Sequence, residues 1–195
     1  MLKGNGLYRL GAALLTACLL SGCGLPMVSR VDWVPNKVGI FYPADVEGKD
    51  MYIQVRGAPF GGSEEDFARR VAAMVTPPVW YRPPARIVPV SPYGPNPSFR
   101  IVFLFGAPYV AAGARACAET ATLPLQPSNA PLTVQGAVCK DDRWIAEAEG
   151  VIEKVDGPDD PALDQLIRDM TTEMLPYQGS GFPILFSPWP QRFDW

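Results

Sequence analysis

Histidine, the side chain most often recruited for proton transfer and metal binding near neutral pH, is absent from all 195 residues. Without it there is no Ser–His or Cys–His nucleophile pair and no imidazole metal ligand. Ser180 stands in Gly179-Ser180-Gly181, which lacks the spacing of a nucleophile elbow and reads as a loop serine. Gly57, Gly61 and Gly62 precede a helical segment as in a phosphate-binding turn. No lysine follows, and Glu64, Glu65 and Asp66 would repel an anion there, so these glycines read as a flexible lead-in loop. Acid–base catalysis by carboxylates needs two of them converging on one cleft. The candidates are Asp45, Glu47 and Asp50, then Asp141 and Asp142, then Asp156, Asp159 and Asp160. Each group sits where turns and helix caps favour an acid. The DGPDD run lacks the alternating ligands of an EF-hand loop, leaving a weak calcium site as the alternative. The chain is therefore expected to be no enzyme and to carry no cofactor.

The remaining chemistry lies at the N-terminus. Lys3 and Arg9 precede an apolar run, Leu10 to Leu20, that is short for a membrane span. Leu20, Ser21, Gly22 and Cys23 follow. Basic region, apolar core and this four-residue box together resemble the signal peptide and lipobox of bacterial lipoproteins, over about the first 25 residues. The resemblance implies cleavage before Cys23 and acylation of its thiol, with anchoring by several acyl chains. A second box, Leu15-Thr16-Ala17-Cys18, would leave an apolar core of only about seven residues. The alternative of an uncleaved anchor helix is opposed by Gly22, Gly24 and Pro26. Gly24, where an aspartate would imply inner-membrane retention, implies the outer membrane with the domain facing the periplasm.

Such cleavage removes Lys3 and Arg9 from the 17 basic residues and none of the 20 acidic ones, leaving a net charge of −5. An acidic domain is a poor partner for nucleic acid or for anionic lipid held by charge alone. The exported body keeps two cysteines, Cys117 and Cys139, and the oxidising compartment implied by the lipobox would let them form one disulfide. Closing a loop of about 23 residues would contribute roughly 3 kcal/mol. A redox or metal pair is the alternative, although the spacing is not C-x-x-C.

The elements that must carry these residues are read from periodicity. With 48% apolar and 19% charged residues, the chain can build a core and is neither disordered throughout nor polytopic. Residues 24–37 contain two prolines and no clean period and read as a tether, with Trp33 docking on the body or at the membrane interface. Val38–Tyr42 (VGIFY) reads as a strand, paired in a hairpin with 51–56 (MYIQVR), where Met51, Ile53 and Val55 share a face. Residues 63–75 predict a helix, with Ser63 as N-cap, Phe67, Val71, Met74 and Val75 on one side, and Pro77 and Pro78 as a stop. Eight prolines fall within 77–98, so that stretch is expected to be extended. Phe99–Phe105 (FRIVFLF) is apolar on both faces and belongs in the centre of a sheet. Residues 106–131 read as a long link, and 132–139 with 143–153 as a hairpin. Trp144, Ala146, Ala148 and Ile152 mark its apolar face, and Glu147, Glu149 and Glu153 a solvated one. A second helix starts at Asp160, with Pro161 at its first position and a stripe of Leu163, Leu166, Ile167, Met170, Met174 and Leu175, and stops at Pro176.

These elements predict an α+β fold: a two-layer sandwich with a mostly antiparallel sheet of about five strands and two amphipathic helices on one face. The element order resembles small α+β modules of several bacterial envelope lipoproteins, transporter-auxiliary ones included. The expected organisation is a signal peptide (1–22), a lipidated tether (23–37), a periplasmic domain (38–176) and an aromatic, Pro/Gly-rich tail (177–195). The expected role is a membrane-anchored envelope lipoprotein that binds or supports an envelope protein. The alternatives are a binder of a small apolar or lipid-like ligand and a carboxylate-dependent hydrolase. Trp80, Tyr81, Tyr93, Trp189 and Trp195 are the candidate interaction surface, since aromatic residues are favoured interface anchors.

Overall fold

The computed structural model describes residues 26–107, 113–126 and 131–176. In chain order the elements are β1 (Met27–Trp33), α1 (Lys37–Asp45), β2 (Asp50–Arg56), α2 (Glu64–Met74), β3 (Arg86–Val90), β4 (Phe99–Phe105), α3 (Gly113–Ala118), β5 (Leu132–Lys140), β6 (Arg143–Ile152) and α4 (Pro161–Met174). The fold is α+β, with one six-stranded sheet in the order β1-β6-β5-β4-β2-β3. β2 is parallel to both β3 and β4. The other three pairings are antiparallel.

β4 lies inside the sheet with all seven residues buried, as its two apolar faces require. On one face Phe99, Ile101, Phe103 and Phe105 meet the buried sides of α1, α2 and α4. On the other, Val102 and Leu104 join Ala137, Cys139 and the short α3 in a smaller cluster. Both long helices begin where their caps predict. The Ser63 hydroxyl accepts from Asp66 N at 3.4 Å, and the Asp160 carboxylate from Ala162 N at 2.8 Å. The α4 stripe lies on the sheet with Leu163, Leu166, Ile167, Met170 and Met174 wholly buried.

Several expectations change. Val38–Tyr42 is helical, within α1: Val38 and Tyr42, one turn apart, are its buried residues, while Ile40 between them is 59% exposed. Residues 27–33, assigned from sequence to the tether, form edge strand β1, paired with β6 through a register shift between Val28 and Arg30. An edge strand with an irregular register buries no clean alternate set, so period two is missing from its sequence. Within the proline-rich stretch, Arg86–Val90 forms β3, the other edge, a position where Pro89 is tolerated because only alternate N–H groups face a neighbour. Trp144 joins the α3-side cluster rather than Ala146 and Ala148, because a register shift beside Cys139 turns the start of β6 over.

Candidate functional site

Cys117 at the end of α3 and Cys139 in β5 form a disulfide, with Cα atoms 5.6 Å apart and both side chains fully buried. The bond pins α3 to the sheet, and an arginine without exposure supports it. Arg100 of β4 donates Nε to Gln54 Oε1 at 2.9 Å and Nη2 to the Cys117 carbonyl at 2.6 Å. Its Nη1 reaches the carbonyls of Pro97 at 3.0 Å and Asp141 at 2.7 Å. Burial pulls the guanidinium below its ordinary range, opposed by the charges of Asp142 and Asp141. These contacts tie β2, the 91–98 connection, the β5–β6 turn and the disulfide together. Arg100 was the one charged residue in an otherwise apolar strand, the signal by which sequence reading could have singled it out.

A second polar cluster sits at the carboxyl end of β2. Arg56 hydrogen-bonds Thr120 O at 3.0 Å and also Ala121 O, stacks 5.1 Å from the centre of the Tyr93 ring, and lies 3.5 Å from Glu64 Oε1. Glu64 accepts from the Tyr93 hydroxyl at 3.0 Å and from Gly57 N at 2.6 Å. The glycine turn is thus occupied by this chain's own carboxylate. Gly57 has a φ of 89°, and a Cβ there would stand 2.6 Å from the Phe105 carbonyl, so a close backbone approach dictates the residue. Beside the cluster, residues 92–94, Asn96 and residues 118–122 border a cleft of about 150 Å³ whose lining includes Glu119 and Thr120.

The candidate carboxylates are distributed rather than gathered. Asp45 pairs with Lys140 at 2.9 Å, Asp50 with Arg86 at 2.6 Å, and Asp159 with Arg70. Asp141 accepts from Ser98 Oγ at 2.6 Å, and Asp160 caps α4. Among the described residues no group of three Cys, Asp or Glu side chains is placed to hold a metal ion. The solvated face expected on β6 is corrected at Glu147, which is 6% exposed. It accepts from Gly113 N at the start of α3 and lies 3.4 Å from Arg30. α3, invisible as a cover in the sequence, lies over this strand face. Burial raises the carboxyl of Glu147 above its ordinary range, against the Gly113 hydrogen bond and Arg30, and burial likewise raises Glu149.

The aromatic candidates separate into two places. Tyr93 is 64% exposed and belongs to the Arg56 cluster. Trp80 and Tyr81 lie instead at the carboxyl end of α4, where they are joined by Trp33. Trp33 donates its indole N–H to Glu173 O at 2.8 Å, Trp80 to Leu175 O at 3.0 Å, and the Tyr81 hydroxyl to Pro176 O at 3.2 Å. These carbonyls have no partner within the helix, so the aromatic donors act as its C-terminal cap. Trp33 and Trp80 stay 38% and 41% exposed, and Val79 is 96% exposed, so the cap has an apolar outer rim. Cys23, Ser180, Trp189 and Trp195 lie outside the described residues. Among the described residues, no helix is long and apolar enough to cross a membrane.

No family model matches the chain, and no curated protein matches it. Among solved structures, the PelC dodecamer from Paraburkholderia phytofirmans is similar at 11% identity and a TM-score of 0.37, over 79% of this chain and 100% of that one. A likeness at that level carries no argument about function.

Proposed function

We propose that this chain is an outer-membrane lipoprotein, anchored through Cys23, whose periplasmic α+β domain binds an envelope protein and performs no catalysis. The observation that carries the reading is the aromatic rim at the end of α4. Trp33, Val79 and Trp80 come from two distant segments, converge on one helix end and remain exposed. Exposed apolar residues gathered at one place characterise interaction sites. The packing beneath α4 speaks against the rival reading of an apolar ligand held between sheet and helix. A Cβ at Gly150 would stand 2.6 Å from Leu166 Cδ1, and one at Gly136 2.8 Å from Met174 Cε. Side chains of α4 already occupy the space that these two glycines leave.

The test has two parts. Cys23→Ser should leave unprocessed precursor and abolish fatty-acid labelling; if Cys18→Ser does so and Cys23→Ser is harmless, the anchor is misassigned. A photo-crosslinking residue in place of Val79 should yield one discrete adduct in intact cells, while the same probe at exposed Glu65 on α2 should not. Equal adducts from both positions, or none from either, would remove the rim as the contact site.

A further inference from the structure

The anchor and the aromatic rim lie at opposite ends of the same strand. β1 starts at Met27 opposite Val151 and ends at Trp33 opposite Ala146. Seven residues of strand separate its ends by about 20 Å. α4 starts beyond the end of β6 and runs back along the sheet, so that Glu173 meets Trp33. The domain therefore has two poles. One consists of Met27, the end of β6 and the 153–160 connection. The other consists of Trp33, Trp80 and the end of α4. Because residues 27–33 are paired in the sheet, only Gly24, Leu25 and Pro26 stand between Cys23 and fixed structure. Four residue steps reach about 14 Å at most when fully extended. A chain that short cannot let the domain turn its far pole to the surface that holds the lipid.

We infer that the Met27 pole faces the bilayer and that the Trp33–Trp80 rim points away from it, so that the rim takes a protein partner rather than the lipid interface. The inference rests on acylation of Cys23. Charge does not create this orientation: the near pole carries Glu153, Asp156, Asp159 and Asp160 against Lys154 and the Arg70 paired with Asp159, a net negative surface that anionic headgroups do not attract. The short covalent link sets it.

The experiment uses full-length lipidated protein, purified from membranes and reconstituted into phosphatidylcholine vesicles containing headgroup-labelled phosphatidylethanolamine as energy acceptor. The native disulfide leaves an introduced thiol open to selective labelling. Donor dye is placed at Glu153→Cys near one pole, or at Ile40→Cys, 59% exposed, on α1, whose Tyr42 packs on Tyr81 at the other. Transfer from position 153 should exceed that from position 40 by about two-fold or more, given poles about 20 Å apart. A flexible Gly/Ser insert of about 12 residues after Gly24, spanning roughly 19 Å on average, should erase the contrast. Equal or inverted transfer in vesicle-bound protein without the insert overturns the orientation while leaving the anchor intact. Failure of the lipidated protein to float with the vesicles removes the anchor, and the orientation with it.

Discussion

The Tyr42 hydroxyl is buried and finds no hydrogen-bond partner among the described residues, whereas that of Tyr81, whose ring centre is 4.3 Å away, donates to Pro176. Burial raises both phenols, Tyr81 to about 12, and the charge of Glu47 adds to it. The two rings should therefore respond oppositely to loss of oxygen. Tyr42→Phe sheds an unsatisfied polar group and should be neutral or stabilising by about 1 kcal/mol in chemical denaturation. Tyr81→Phe breaks a hydrogen bond and should cost about 1 kcal/mol. A destabilised Tyr42→Phe variant would show that its hydroxyl is satisfied after all. Glu147 gives a pH signature. Its native carboxyl is raised above the ordinary 4.5 by burial, reinforced by Asp32 and opposed by the Gly113 hydrogen bond and by Arg30. The native state then keeps a proton that the unfolded chain has released. This contribution is complete below the ordinary value and is lost as pH rises through the raised one. The urea midpoint should decline as pH rises above 4.5, and less steeply in Glu147→Gln. Some decline should persist in the variant, because Glu149 is shifted the same way. Identical slopes in wild type and variant would assign no such role to Glu147.

At the scale of elements, α4 is the test of how the two layers are held. Leu166 and Ile167 are fully buried against the sheet, and each truncation to alanine in a core costs about 2–5 kcal/mol. A domain of this size has about 5–15 kcal/mol in total, so the double variant should lose most of its stability or fail to fold. On the outer side Asp164 and Arg168 pair at 2.9 Å while remaining 41% and 43% exposed. Alanine at either should cost less than about 1 kcal/mol, since exposed pairs are screened by solvent. An unaltered melting midpoint in the Leu166/Ile167 double variant would contradict the core position of α4. Both long helices were legible because their caps, stops and stripes agree within one segment. α1 was not. Its VGIFY run satisfies β propensity, and the choice of helix follows from the placement of Val38 and Tyr42 over β4 and Tyr81.

For the whole molecule, the Cys117–Cys139 disulfide is a covalent cross-link between α3 and the sheet. Reduction opens a loop with a sequence separation of 22 residues. The expected loss is roughly 3 kcal/mol. For a chain of this length that corresponds to a fall in melting temperature of about 6–12 °C, measurable by scanning calorimetry with and without reductant. Because both sulfurs are buried, reduction should be slow in native protein and fast once it unfolds. Rapid reduction under native conditions would mean that α3 opens independently of the sheet. The Arg100 hydrogen bonds to Gln54, Pro97, Asp141 and the Cys117 carbonyl join this bond to three other regions of the chain, so the disulfide and the buried arginine should fail together.

What the sequence determined by itself are the features written in neighbouring residues. These include the capped helices at 64–74 and 161–174, the central strand 99–105 and the hairpin around Asp141, all of which depend on periods and stops within about fifteen positions. The Cys117–Cys139 pairing also followed, because only two cysteines remained once an exported body was assumed. The tertiary structure alone decided the rest. Edge strands β1 and β3 draw their order from partners far away in sequence, and an edge leaves little hydrophobic alternation to read. Glu147 became a buried group because α3 lies over its strand. Trp33 and Trp80 became one rim because both find the unpaired carbonyls at the end of α4. Covering and convergence are long-range events, and local propensity carries no record of which distant segment arrives.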